Sequence, residues 1–401
     1  MAPPPPQPRR RRLSALATDR SVFPILFALP AKSLLRFKCV SKTWNYAISH
    51  PQFRDTYNAC RASSSVPRFF FFQGSDFDYD QRSGASLHRF ATLNSAGVPL
   101  DVLPITVFGG PIKLVLPSSR GLLCFATETC VYLCNPSTHS LVQLPPLHGG
   151  SGQTIAGFGF GYIGSTGEYK VARLVHKPEE GYYVPCKFEC SVFTYPATQP
   201  AVTNAWKVLA DPCPYFVAEF SLPVFVRGAE SVYWKINQSR HCRCNSKAGG
   251  RQDAFLVYLD IKKERFGVVR GPQGWRRAIH GNPPRIMEDE PEGKLRMIET
   301  PGDLPLRLVV WVLADQQNSH WVKQAIVSLP PLDNRTILGE IKVYTSDWII
   351  FSSPDNVIIF VNRKKGTVRK VGIPTGLRNL DFCTYTENLL TLRLPPCESR
   401  N

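Results

Sequence analysis

Few residues in this sequence are spaced for bond-making chemistry. Gly159-Phe-Gly161-Tyr-Ile-Gly164 has the G-x-G-x-x-G spacing that lets backbone approach a pyrophosphate. That use requires a helix directly after the third glycine, whose N-terminus then holds the anion. Here the chain continues Ser165-Thr-Gly-Glu-Tyr-Lys-Val, a turn followed by a strand pattern, so the segment predicts a hairpin. No G-x-x-x-x-G-K-[ST], G-x-S-x-G or H-E-x-x-H occurs, and the eight histidines are scattered. Among twelve cysteines, Cys242 and Cys244 lie beside His241, and Cys186 and Cys190 stand four apart. Structural zinc wants two pairs, each with a tight knuckle, and no second pair stands at a usual distance. No metal, no cofactor and no catalytic residue is expected, and the chain reads as a non-enzyme.

Charge gives a second route to function. The 401 residues carry 48 Lys+Arg and 31 Asp+Glu, a net +17. Arg9 to Arg12 follow a proline run, and residues 1–15 read as a disordered tail. A second basic region spans residues 240–277 and includes Trp275, Arg276 and Arg277. No base-reading motif accompanies it, and Glu288-Asp-Glu-Pro-Glu292 follows closely, so solvated loops are expected rather than a nucleic-acid surface. Asp19 and Arg20 interrupt any secretory apolar core, and the cysteines then read as reduced thiols. In a reducing compartment the sequons at Asn237 and Asn334 carry no meaning. No apolar run reaches the roughly 18 residues that a membrane span needs, and no membrane partner is expected.

Two kinds of element must position whatever function remains. Leu34, Leu35, Phe37, Val40, Trp44 and Ile48 recur at helical spacing, with Pro30 suited to a helix start, Ser41 to a cap and Pro51 to an end. Two or three short helices are expected over residues 22–60, with Lys32, Lys38 and Lys42 exposed. After about residue 67 the pattern changes to short β runs, about 22 of them, separated by turn signals. In Val232-Tyr-Trp-Lys-Ile, successive side chains face opposite sides. Propeller blades carry four strands, so this number fills five to six blades. No repeat of 40–50 residues is visible. A ring of blades needs a clasp, which predicts pairing of Arg68–Gln73 with the chain near Thr384–Leu394.

Residues 25–53 carry a more specific signal. The run Leu29-Pro-Ala-Lys-Ser-Leu-Leu-Arg-Phe-Lys-Cys-Val-Ser-Lys-Thr-Trp44 and the exit Ile48-Ser-His-Pro-Gln-Phe53 resemble the F-box of plant F-box proteins. The later chain resembles the F-box-associated domain of the same family, through Gly121-Leu-Leu-Cys, Asn135-Pro-Ser-Thr, Gly157-Phe-Gly-Phe-Gly, Glu168-Tyr-Lys-Val-Ala-Arg173, Val232-Tyr-Trp234 and Leu308-Val-Val-Trp-Val-Leu313. The implied fold is a short N-terminal helical F-box followed by a large all-β domain of the β-propeller kind. The implied organisation is a tail over 1–15, F-box over 16–60, linker over 61–66, β domain over 67–395 and a tail over 396–401.

The resemblance implies a non-catalytic substrate-recognition subunit of a Skp–cullin–F-box ubiquitin ligase. The F-box would bind a Skp-type adaptor, and through it a cullin, while the β domain binds an unknown protein substrate. Adaptor-binding residues are then expected among Ile25, Leu26, Leu29, Pro30, Leu34, Leu35, Cys39, Val40 and Trp44. A unit of about 40 residues is too small to bury all its apolar side chains, so these divide between a core and a partner surface. The family's first helix usually opens with a Leu-Pro pair, an acidic residue and a Glu. Here those positions read Ala17-Thr18, Arg20 and Pro24, which predicts a short first helix. A binding module without adaptor affinity, and a basic nucleic-acid-binding β protein, stand as the other readings. The lead reading implies the nucleus, the cytoplasm or both.

Overall fold

The computed structural model describes residues 22–62, 68–73, 79–80, 85–94, 99–110, 112–127, 129–146, 154–176, 188–197, 205–218, 222–237, 254–273, 284–289, 292–300, 306–333, 336–373 and 381–393. The expected tails, Arg9–Arg12, Ala17, Thr18, Arg20, the His241/Cys242/Cys244 group, Cys186, Asn334 and Trp275-Arg276-Arg277 lie outside the described residues.

Four helices come first: α1 (Val22–Ala28), α2 (Ala31–Phe37), α3 (Lys42–Ser49) and α4 (Pro51–Ala62). The first is short, as expected. Because it begins at Val22, Pro24 falls in its first turn, where a missing amide forfeits no internal hydrogen bond. Pro30 precedes α2, and the Ser41 hydroxyl accepts from the Trp44 amide at 3.1 Å. Pro51 marks the end of α3, which stops at Ser49 as expected, and it also begins α4. At a first helical position its fixed φ is already helical. Of the three lysines expected on the surface, Lys38 is half-buried instead.

The strands form six antiparallel sheets. The first holds β1 (Arg68–Gln73), β2 (Tyr79–Asp80), β3 (Ala85–Leu93), β4 (Pro99–Phe108) and, from the far end of the chain, β25 (Asp381–Tyr385). Five four-stranded sheets follow. They are β5 (Leu114–Val115) to β8 (Ser140–Gln143), with β6 (Leu123–Ala126) and β7 (Val131–Asn135) between them; β9 (Thr154–Ile163), β10 (Glu168–His176), β11 (Phe188–Pro196) and β12 (Lys207–Val208); β13 (Val224–Val226), β14 (Ser231–Lys235), β15 (Ala254–Asp260) and β16 (Arg265–Arg270); β17 (Arg285–Asp289), β18 (Lys294–Glu299), β19 (Arg307–Asp315) and β20 (His320–Ser328); and β21 (Ile341–Tyr344), β22 (Trp348–Ser353), β23 (Val357–Asn362) and β24 (Thr367–Gly372). Four of the strands, the two-residue β2 and β4, β17 and β21, were missed in the sequence.

The packing of the sheets is cyclic. One apolar cluster joins each sheet to the next: Leu133 and Phe160, then Leu174 and Trp234, then Tyr233 and Met297, then Val310 and Phe351, then Phe360 and Phe69, and finally Phe90 and Phe125 back at the β5–β8 sheet. This closed cycle is a propeller. It explains why strands such as β14 are buried on both faces, Val232 and Trp234 toward one neighbour and Tyr233 toward the other. The G-x-G-x-x-G segment is the expected hairpin, β9–β10, and its glycines serve packing. A Cβ on Gly159 would lie 2.6 Å from Val232, and one on Gly161 2.2 Å from the Phe225 ring.

The clasp exists. β1 pairs antiparallel with β25, from Arg68↔Tyr385 to Phe72↔Asp381, so the first and last strands share one sheet. β25 stands at the inner edge of that sheet, as β9, β13, β17 and β21 do in theirs. Each four-stranded sheet meanders from inner to outer strand, so its connections alternate between the two ends of the ring. One end carries tight turns such as 164–167, 227–230 and 363–366. At the other end lie the strand ends that longer connections join, such as His176 and Phe188, Lys235 and Ala254, and Arg270 and Arg285.

Candidate protein-docking site

The helical unit has its own small core of Leu26, Ala31, Leu34, Ile48, Phe53 and Tyr57, completed by Leu389 from the chain beyond β25. Phe27 stacks on Phe53 with ring centroids 5.0 Å apart, and Phe37 meets the edge of Trp44 at 5.5 Å. The nine expected adaptor-binding residues therefore divide. Leu26 and Leu34 are buried in the core, and Leu34 has no exposed surface. Leu29, Leu35 and Trp44 are half-buried, while Pro30 and Cys39 are exposed. Ile25 and Val40 are 64% and 67% exposed, and Tyr46, which the sequence reading did not single out, is 57% exposed. Burial of a side chain this size stabilises by about 1.5–3 kcal/mol, which these three side chains forgo.

The unit is fixed to the tight-turn end of the ring by a polar knot that sequence reasoning missed. The Tyr57 hydroxyl lies 3.0 Å from the Leu29 carbonyl and 3.1 Å from Glu387 Oε2, and accepts from Arg61 Nε at 3.1 Å. Arg61 Nη2 donates to the Ala28 carbonyl at 2.9 Å and also to Leu29, satisfying acceptors that the end of α1 leaves open. The same guanidinium pairs with Glu387 at 3.4 Å. Burial, reinforced by the Glu387 charge, pushes the Tyr57 phenol well above its ordinary pKa, so it stays a donor. Asn58 Oδ1 accepts from the Leu389 amide at 3.1 Å. At the periphery Lys32 reaches Asp101 at 2.8 Å, and His139 meets the other Asp101 oxygen at 2.9 Å. Burial alone would raise the Asp101 carboxyl, but these two hydrogen bonds outweigh it and hold it below its usual range.

The chain beyond β25 is therefore a strap. The Asn135 side-chain amide donates to the carbonyls of Asn388 at 3.1 Å and Leu390 at 2.6 Å. Asn388 Nδ2 donates to the Arg120 carbonyl at 2.6 Å, and the Arg393 amide to the Tyr195 hydroxyl at 2.9 Å. Of the two weak β runs expected after Phe382, only the first is a strand. The second bonds through side chains across two sheets. Its signal in the sequence was Asn388 directly before Leu389 and Leu390, a polar group that burial obliges to find partners.

Residues 25–56 match the F-box domain family, and residues 105–392 match the F-box associated beta propeller domain. The chain belongs to the F-box proteins that carry an F-box-associated propeller. The putative F-box protein At3g52320 of Arabidopsis thaliana is 33% identical over 324 residues, covering 78% of this chain and 73% of its own. Putative F-box protein At1g47790 of the same plant is 25% identical over 390 residues, covering 90% and 87%. F-box protein At1g30790, also from that plant, is 29% identical over 332 residues, covering 79% and 76%. The F-box helices of this protein run on to Ala62, and its propeller begins at Arg68, well ahead of the matched region.

Proposed function

We propose that this F-box protein is a substrate-recognition subunit of a Skp–cullin–F-box ubiquitin ligase. Its helices dock on a Skp-type adaptor, which links them to a cullin. The propeller binds the protein to be ubiquitinated, and the transfer chemistry belongs to the partners. The observation that carries this reading is Ile25, Val40 and Tyr46 left in water on a unit whose core is already filled and whose seat on the ring is already made. The expected adaptor contacts Leu29, Pro30, Leu35, Cys39 and Trp44 border or share that unit's surface, whereas Leu26 and Leu34 support it from inside. The end of the ring opposite the helices carries the longer connections, which suits capture of a second protein, because recognition loops project from rigid β scaffolds. This role puts the protein in the nucleus, the cytoplasm or both.

The test is capture of purified Skp-type adaptor by the full chain. Ile25→Asp with Val40→Asp removes binding at least tenfold and leaves the melting temperature unchanged, because neither side chain is in the core. Adaptor binding that survives both substitutions, or an intact chain that captures no adaptor, overturns the proposal. Leu34→Asp is not a useful control, because a buried charge there unfolds the unit.

A further inference from the structure

The charge of the helical unit is one-sided. Residues 22–62 carry Lys32, Arg36, Lys38, Lys42, Arg54 and Arg61 against a single carboxylate, Asp55. Two of the cations are committed to the seat on the ring, Lys32 to Asp101 and Arg61 to Glu387. Arg54 stands 3.9 Å from Asp55. Among the described residues no ion pair reaches Arg36, Lys38 or Lys42. The sequence on either side does not offset them. Residues 1–21 add Arg9 to Arg12 and Arg20 against Asp19, and residues 63–67 carry no charge.

This bias runs against local helix energetics. None of the four helices has an acidic residue in its first turn, where the helix dipole favours a carboxylate by about 0.3–1 kcal/mol. Lys42 instead puts a cation in the first turn of α3. It lies one turn from Tyr46 on the same helix face, and Val40 stands two residues before it. Arg36 is in the last turn of α2, four residues before Val40. Arg36, Val40, Lys42 and Tyr46 are all exposed. Lys38 is half-buried, and burial first, then the Arg54 charge, push its ammonium below the ordinary pKa. Cations and apolar side chains thus crowd the α2–α3 turn, and residues 36–46 include no carboxylate among them.

We propose that the α2–α3 surface, with Arg36 and Lys42 beside Val40 and Tyr46, docks on an adaptor face whose apolar centre is rimmed by carboxylates, and that opposite charge steers the encounter. The inference rests on the adaptor reading and gives that partner its chemistry. Val40 gains only from an apolar counterpart, whereas Arg36 and Lys42 call for carboxylates at its edge. A carboxylate arriving there also offsets the repulsion between Lys38 and Arg54. Rim charges of this kind act on the rate of association more than on dissociation. A nucleic acid suits the surface less well, because aliphatic Ile25 and Val40, both largely in water, meet nothing apolar in a phosphate backbone.

The experiment is surface plasmon resonance with the full chain immobilised and purified Skp-type adaptor in solution, at rising salt. The association rate falls about tenfold between about 0.05 and 0.5 M NaCl, while the dissociation rate stays within about threefold. Arg36→Gln with Lys42→Gln slows association about tenfold at low salt and flattens the salt dependence. The melting temperature is unchanged, because both side chains are exposed. Arg36→Lys with Lys42→Arg keeps the charge and the rate. Arg265→Gln with Lys365→Gln removes equal charge at the start of β16 and in the turn before β24, and leaves the rate within about twofold. The inference is overturned if association does not respond to salt, if the Arg36/Lys42 glutamine variant associates as fast as the wild type, or if the Arg265/Lys365 variant slows as much. It is overturned in favour of nucleic acid if a decameric oligouridine binds more tightly than the adaptor and loses affinity in the Arg36/Lys42 glutamine variant. It is overturned in favour of a membrane if phosphatidylserine–phosphatidylcholine vesicles behave that way. Adaptor binding without salt dependence defeats only this inference, whereas no adaptor binding at any salt defeats the adaptor reading and this inference with it.

Discussion

Single residues carry the join between the two parts of the molecule. Tyr57→Phe removes a hydroxyl shared by Leu29, Arg61 and Glu387, and leaves a buried carboxylate short of a partner. The expected loss is about 1–3 kcal/mol, read by urea denaturation. Gly161→Ala tests the reassigned glycine motif. Its Cβ meets the Phe225 ring, so overpacking costs about 1–3 kcal/mol, whereas a solvent-facing turn glycine would tolerate the change. Lys235 gives a pH test. Its ammonium is disfavoured when folded, with a pKa of about 8 against 10.5 in the open chain. The penalty is complete below pH 8 and fades as pH rises toward 10.5. Lys235→Met therefore stabilises the protein at pH 7 by on the order of 2 kcal/mol, and its advantage over the wild type shrinks by pH 10.

Elements show how much of the fold was legible. The helices announced themselves through 3.6-residue periodicity and Ser41, and most strands through apolar runs between turn residues. The strands that escaped had reasons. β17 (Arg-Ile-Met-Glu-Asp) and β21 (Ile-Lys-Val-Tyr) are inner strands with charged residues among apolar ones, and β4 contains Pro104. The internal repeat also escaped, yet it is present in the turns. Asn135, Asp260, Asp315 and Asn362 each open the turn before an outer strand, and each accepts backbone amides two or three residues on. Four residues later stand His139, Glu264, Ser319 and Gly366, all with φ between 52° and 63°. Unequal connections elsewhere shift the period and hide this register. At the docking site the apolar stripe was legible, but not its division into Leu34 inside and Val40 outside, because Leu389 arrives from the other end of the chain. Truncating the chain after Tyr385 removes that residue with the rest of the strap. The helices should then exchange amide hydrogen much faster while the outer strands of the distant sheets keep their protection. Equal protection in α4 would show that the strap does not hold the helices.

Across the whole molecule, the clasp couples chain ends to ring stability. Deleting residues 68–73 takes Phe69 out of its cluster with Phe360 and leaves β25 without a partner. The melting temperature should fall sharply in that variant, and an unchanged one would remove the clasp from the account. The ring also sets the helices at the tight-turn end, opposite the longer-connection end at which the target is proposed to bind. A bound target and a bound adaptor then need not compete, and each should bind with the same affinity in the presence of the other.

The strap has a consequence in time. The F-box is made first on the ribosome, but Glu387 and Leu389, which complete its core and its seat, emerge after every sheet. A nascent or broken chain lacking them has the apolar patch but no fixed platform beneath it. The finished fold therefore comes into being late, when β25 pairs with β1 and the residues behind it reach Asn58 and Arg61. Under the proposed function, a chain that fails to complete the ring would not hold an adaptor in a set orientation toward a target.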